Sequence, residues 1–185
     1  MEDFAAIDKH TADKKHVSKR ITQYCYVDSP IGKLMLAGCV QGLRMISFPT
    51  GPQIKDPLDG WTLTPSCFPQ TQHELCAYFD GHLQEFKAPI FLEGTHFQKQ
   101  VWAALLNVPY GECASYGDIA KAIDNPGSAR AVGGANNANP IPIIVPCHRI
   151  IGANKSLTGF GGGLNTKKAL LSHEAKYAVF PDRLL

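Results

Sequence analysis

The sequence predicts an α+β protein, in which a small N-terminal antiparallel-sheet domain precedes a mainly helical C-terminal domain with a helix-turn-helix. Three observations carry this. Between Tyr24 and Phe48, short β-rich runs alternate with turns bearing Gly and Pro. Beyond Gly94, apolar residues recur at helical rather than strand spacing. Two short helical segments then flank Asp124-Asn125-Pro126-Gly127, the layout of a helix-turn-helix, although such pairs also occur as plain packing units.

Residues 1–20 mix both charge signs, lack the apolar stretch of a secretory signal and read as a solvated tail. Residues 21–93 form the expected first domain. There YCYV, KLMLAGCV and LRMISF are separated by turns at Ser29–Gly32 and Gln41–Gly42, as in an antiparallel meander. Residues 49–69 hold five prolines and read as a loop. Helical spacing from His73 to Phe79 follows, then a strand around Lys87–Leu92.

The second domain is expected over residues 94–176. Thr95-His96-Phe97-Gln98 has the capping-box pattern, and Phe97, Val101, Trp102 and Leu105 share one helical face. Val108-Pro109-Tyr110-Gly111 stops that helix. A short helix is expected from Ser115 through Ile123, and a third from Asn125-Pro126, where proline suits the first helical turn. The body of this third helix, Ser128–Ala138, is rich in Ala and Gly. Ile141–Val145 is very apolar and closes at Pro146. LTGFGGG then leads to a last helix over Leu164–Ala175, and 177–185 read as a C-terminal tail.

With 44% hydrophobic and 18% charged residues, the composition is that of a soluble globular protein. No apolar run is long enough to cross a bilayer. A cytoplasmic location (nuclear in a eukaryote), no membrane partner and a monomer are the expectations. Residues 1–93 carry 9 Lys/Arg against 11 Asp/Glu, whereas residues 94–185 carry 9 against 5. A basic C-terminal half suits an anionic partner. The six cysteines make no C-x-x-C pair and read as reduced thiols, most of them buried.

Chemistry concentrates in the stretch from Asn139 to Ile150, NPIPIIVPCHRI. Cys147 beside His148, after a Pro-bounded segment, has the parts of an activated thiol, since the thiolate is the nucleophile and a base raises its population. Side chains adjacent in an extended segment point apart, so a Cys-His pair taken alone is more often core packing. Glu174 shifts that balance. A carboxylate near a helix C-terminus opposes the helix dipole, and it is either solvated or orients an imidazole.

The stretches FQKQVWAALLNVPYGECASYGDIA, ARAVGGANNANP, IPIIVPCHRI and TGFGGGLNTKKALLSHE occur in order from about Gly94 to Ala175. Together they resemble the C-terminal domain of the O6-alkylguanine-DNA alkyltransferases. DSPIGKL and the Tyr78–Leu92 region resemble the family's N-terminal domain more loosely. The resemblance implies stoichiometric DNA repair, in which an alkyl group on guanine O6 (or thymine O4) moves irreversibly to the protein's own cysteine. It assigns Cys147 as acceptor, His148 as the base acting through a water, Glu174 as the group orienting His148, and Asn139 as a tie between this network and the turn that follows the recognition helix. It also places Tyr116, Ile150, Phe160, Gly161 and Pro142 around the base. Arg130, Ser128, Ala129 and Gly133 would lie on a helix docked in the minor groove of double-stranded DNA, with Arg130 entering where the flipped nucleotide was.

Two departures stand out. Phe160 replaces the family's loop tyrosine, and Asn136-Asn137 replace a more basic pair, which is expected to weaken phosphate contacts. Some members bind a structural zinc. Cys39 matches one ligand, but Arg20 and Arg44 stand at two others, so no metal and no cofactor are expected. Three rivals remain. One is a protein that flags lesions without transfer, another an alkylation-sensing transcription factor, and the third a turning-over thiol hydrolase. The presence of Cys147 counts against the first, and the lack of a visible regulatory domain against the second.

Overall fold

The computed structural model describes residues 20–178. The expected terminal tails fall almost wholly outside them. Three strands, β1 (Gln23–Val27), β2 (Leu34–Cys39) and β3 (Gly42–Ser47), form the antiparallel meander that the turn residues predict. A two-residue strand, β4 (Thr62–Leu63), lies inside the proline-rich stretch and pairs parallel with β1, giving the sheet order β3-β2-β1-β4. Every residue of β2 is buried, as befits a strand flanked on both edges and covered on both faces.

Helix α1 runs Pro69–Phe79, starting four residues before the helical spacing becomes visible. Pro69 opens it because a proline costs no hydrogen bond in a first turn. The strand expected around Lys87–Leu92 is reduced to one bridge, Leu43 to Ile90. Pro89 has no N–H, so a ladder cannot extend through it.

The C-terminal part begins with α2 (His96–Leu106), whose Thr95 and Gln98 make both bonds of the capping box. Trp102 is buried on α2, and its Nε1 donates to the Ala135 carbonyl at 2.9 Å, tying α2 to the helix over Ala129–Asn137. Strand β5 (Ala114–Ser115) leads into α3 (Tyr116–Ala122), capped by Ser115 and Asp118. Helix α4 spans Ala129–Asn137, later than the expected start at Asn125-Pro126. Asp124 takes a left-handed conformation (φ 55°) and turns the chain. The Asn125 carbonyl then accepts from both the Ser128 amide and the Ser128 hydroxyl, so Pro126 and Gly127 belong to the turn. Strand β6 (Ile150–Ile151) pairs parallel with β5, and α5 covers Leu164–Tyr177, two residues beyond its expected end.

One core runs through both halves. Leu36 and Tyr78 belong to the same buried cluster as Trp102, Ile143 and Leu170. A second junction is made of backbone. Gly51, at φ 102°, lies so close to the Gly-rich loop that an added Cβ would sit 2.4 Å from the Gly162 carbonyl carbon. Gly60, at φ 86°, has open space at the same position. Gly51→Ala therefore combines left-handed strain with a backbone clash, and is expected to cost about 2–4 kcal/mol. Gly60→Ala carries the strain alone, at about 1–2 kcal/mol. Urea midpoints of the two variants check this, and equal losses would mean the loops separate without cost.

Candidate active site

Cys147, His148 and Arg149 form a single 3-10 turn, and all three side chains are buried. The apolar stretch before it is a tight turn rather than a strand. Asn139 shapes it from both sides, donating through Nδ2 to the Val145 carbonyl (2.8 Å) and accepting through Oδ1 from the Ile141 amide (3.0 Å). Ile143, fully buried, sits at φ 76°, a conformation a β-branched residue adopts only when its surroundings force it. Strain of this kind costs about 1–3 kcal/mol and gathers at functional sites.

Helix α5 brings Glu174 beneath the turn, with no exposed surface. Its Oε1 accepts from His148 Nε2 (2.8 Å), the Tyr78 hydroxyl (2.8 Å) and Arg149 Nη2 (3.0 Å). Its Oε2 accepts from Arg149 Nε (2.9 Å) and the Gly111 amide (3.1 Å). Arg149 Nη1 completes the network on the Val108 carbonyl (2.6 Å).

Burial pushes the Glu174 carboxyl up, but the hydrogen bonds and positive charge of His148 and Arg149 outweigh it and hold the group well below the usual carboxylate range. Burial drives His148 below the ordinary imidazole value, against the pull of Glu174. The imidazole is therefore neutral, with its proton on Nε2 facing an ionised carboxylate and its lone pair on Nδ1. Nδ1 has no hydrogen-bond partner among the described residues. Burial also pushes the Cys147 thiol up to about 11, a rise moderated by Asn139 and Lys167. The resting thiol is protonated and needs a base.

Cys147 faces a cavity of about 310 Å³. The end of α4 and the residues after it (Asn136, Asn137, Asn139) form one wall, with Pro142 beside them. Phe160 and Gly161 of the Gly-rich loop form another, and Phe48, Gln53 and Lys55 from the N-terminal part close the third. The Gln53 amide donates to the Gly161 carbonyl (3.1 Å), and the rings of Phe48 and Phe160 meet at 5.3 Å.

The expected site residues divide. Cys147, Asn139, Pro142, Phe160 and Gly161 line the cavity, and His148 and Glu174 stand behind it. Tyr116 and Ile150 are not among the lining residues. The Tyr116 hydroxyl is 2.8 Å from Thr158 Oγ1, and the Ile150 carbonyl accepts from the buried Lys167 Nζ (2.5 Å). Arg130 is exposed on α4, whose first residue is the partly buried Ala129 and whose N-cap is Ser128. Gly133 lies beneath the Tyr116 ring, where an added Cβ would come within 3.7 Å. Of the Asn136-Asn137 pair, Asn137 is exposed and Asn136 is buried in the cavity wall, with Nδ2 3.4 Å from the Cys147 carbonyl.

Arg149, Tyr78, Gly111 and Lys167 were not read from the sequence as site residues. Arg149 carried the clearest signal, as the next residue of the same motif. Tyr78 is 96 positions from Glu174, and nothing in its local pattern marks it.

A buried thiol backed by an imidazole–carboxylate pair, in a cavity that the second helix of a helix-turn-helix helps to wall, defines a cysteine-nucleophile protein built onto a DNA-binding fold. Residues 96–176 match the family model for the 6-O-methylguanine DNA methyltransferase DNA-binding domain, and residues 22–92 match that for its ribonuclease-like domain. The chain belongs to the 6-O-methylguanine DNA methyltransferase family. The methylated-DNA–protein-cysteine methyltransferase of Methanosarcina acetivorans is 49% identical over 151 residues, 82% of this chain and 97% of the relative. That of Mycobacterium tuberculosis is 51% identical over 158 residues, 84% and 93% of the two chains. The crystal structure of M. tuberculosis OGT in complex with DNA superposes with a TM-score of 0.78 at 50% identity, covering 84% of this chain and 94% of that one. The O6-methylguanine-DNA methyltransferase of Pyrococcus kodakaraensis gives 0.58 at 26% identity, covering 82% and 98%.

The depressed His148 value has a consequence for stability. As pH falls, the unfolded chain binds the His148 proton near about 6.5 while the folded chain does not. The contribution is fully present above that pH and is lost below it, at up to about 1.4 kcal/mol per pH unit. Guanidinium unfolding between pH 8 and pH 5 should therefore be steeper in pH for the wild type than for His148→Gln. Parallel curves would mean that His148 takes up a proton in the folded state.

Proposed function

We propose that this chain repairs double-stranded DNA by moving an alkyl group, chiefly methyl, from O6 of guanine to its own Cys147, once per molecule and irreversibly. O4-alkylthymine is the secondary substrate. The observation that carries this reading is the shared cavity. Asn136 and Asn137 at the end of α4 and the nucleophile Cys147 line one space, so a nucleotide rotated out of a duplex docked on α4 meets the thiol.

The neutral His148, oriented by Glu174 through Nε2, has Nδ1 free to take the thiol proton through a bridging water. Glu174 then stabilises the imidazolium, while Arg149 keeps the carboxylate ionised throughout. The sulfur–carbon bond forms as the carbon–O6 bond breaks, and the proton taken from the thiol offsets the charge on the departing guanine. Tyr116, held at Thr158, is placed to donate toward the base. The Cys147 and Ile150 carbonyls are the acceptors for the exocyclic amine. The Ile150 carbonyl already takes one hydrogen bond, from Lys167, and keeps a second lone pair, whereas the Cys147 carbonyl takes the Ile150 amide and, at 3.4 Å, Asn136 Nδ2, which the exocyclic amine would have to displace.

Residues 21–93 form the supporting domain, and 94–176 the domain that binds DNA and carries out transfer. The protein acts as a monomer, in the cytoplasm or a eukaryotic nucleus, with α4 in the minor groove. The glycines and alanines of α4 permit close approach, and Arg130 fills the space of the flipped base.

Intact mass after incubation with O6-methylguanine DNA should rise by one methyl, mapped to Cys147. Cys147→Ser should abolish the gain while leaving DNA affinity within about threefold, because a hydroxyl of similar size stays protonated near neutral pH. Methylation of the serine variant at the wild-type rate would move the acceptor elsewhere. Arg130→Ala should slow repair in duplex DNA roughly tenfold and leave reaction with the free modified base unchanged, since the free base needs no unstacking. Equal losses on both substrates would remove Arg130 from the flipping step.

A further inference from the structure

Among the residues lining the cavity, Lys55 is the sole charged side chain, and Cys147 is the sole other ionisable one. Lys55 comes from the five-proline stretch of the N-terminal part, to which the sequence reading gave no function. Its backbone is pinned at the cavity. The Lys55 amide donates to the hydroxyl of the buried Ser47 at 2.8 Å, and two residues earlier the Gln53 amide donates to the Gly161 carbonyl at 3.1 Å. Among the described residues Lys55 forms no ion pair. The remaining wall is neutral, made of Phe48, Phe160, prolines and asparagine amides.

Lys55 is exposed and stands at the rim of a space with otherwise neutral walls, so no carboxylate lining the cavity competes with an entering anion for it. Electrostatic attraction is stronger beside a low-dielectric wall than in bulk water. An anionic oxygen entering the cavity gains a charge-assisted hydrogen bond that a neutral group of equal size does not. We propose that Lys55 is an anion-recognition residue of the alkyl-transfer cavity. The anion is either a carboxylate at the end of the transferred group or the phosphate beside the rotated nucleotide. This rests on the reading of Cys147 as acceptor. With an O6-carboxymethyl adduct, the Cys147 sulfur–methylene bond forms as the methylene–O6 bond breaks, and the thiol proton passes to the departing guanine. The carboxylate stays on the protein beside Lys55.

The full chain, Lys55→Met and Lys55→Arg are each reacted with O6-methylguanine and O6-carboxymethylguanine, as free bases and in duplex DNA, with product mass mapped to Cys147. If the adduct carboxylate is the anion, Lys55→Met loses about tenfold with carboxymethyl substrates in both forms, keeps its methyl rates, and is rescued by Lys55→Arg. If the phosphate is the anion, Lys55→Met leaves both free bases unchanged. It then weakens duplex binding for both adducts, and the slope of log affinity against log salt falls by about 0.9. Wild-type transfer that Lys55→Met leaves unchanged everywhere overturns the proposal alone, as does an equal loss on all four substrates, which marks a structural role. Absence of wild-type transfer to Cys147 from any substrate overturns the acceptor reading, and this proposal with it.

Discussion

The Glu174 carboxylate is the constraint on which the rest depends. A fully buried anion is tolerated only when its lone pairs are filled, and here five donors fill them from three places besides its own helix: α1, the turn after α2 and the 3-10 turn of the nucleophile. The same bonds do two jobs. They lock the two halves of the molecule together through Tyr78, and they set the His148 tautomer that leaves the Nδ1 lone pair without a partner among the described residues. Removing one partner of such a buried pair commonly costs about 3–5 kcal/mol, so architecture and chemistry here stand or fall together.

That dual use explains what the sequence could and could not reveal. The meander, the capping box at Thr95 and the helix-turn-helix were legible because turn residues and apolar periodicity act within a few residues. Cys147, His148 and Glu174 were legible through motif order. Tyr78 was not, because a lone tyrosine on an amphipathic helix looks like any half-polar core residue until the partner 96 positions away is in place. The false strand at Lys87–Leu92 has the opposite cause. Its residues have strand propensity, but Pro89 removes the donor that a ladder needs. The inward turn of Asn136 was not legible, because helix phase, not residue type, decides which of two adjacent asparagines is buried.

The N-terminal part is more than a platform. The β3 edge donates through the Ile46 amide to the Pro140 carbonyl (2.9 Å), just upstream of the strained turn at Ile143. The loop after β3 then sets the Gly51 backbone against the backbone of Gly161 and Gly162 without intervening side chains, and the Phe48 ring packs beside them. Close contact of two backbones transmits position well, because no rotamer can absorb a displacement. The nucleophile's turn, strained from within, is thus held from outside by a rigid surface. This suits a site that must be preorganised for a single reaction.

The Trp102 hydrogen bond gives the molecule a built-in optical gauge. The chain holds two tryptophans, and Trp102 is fully enclosed with its indole N–H on the Ala135 carbonyl of α4. Indole emission responds to polarity and to the hydrogen bond at that nitrogen. A shift of α4 against α2 therefore changes the fluorescence of a residue that lies on neither α4 nor its exposed face. Trp61, on the far side of the N-terminal sheet beside β4, provides an internal reference in the same spectrum.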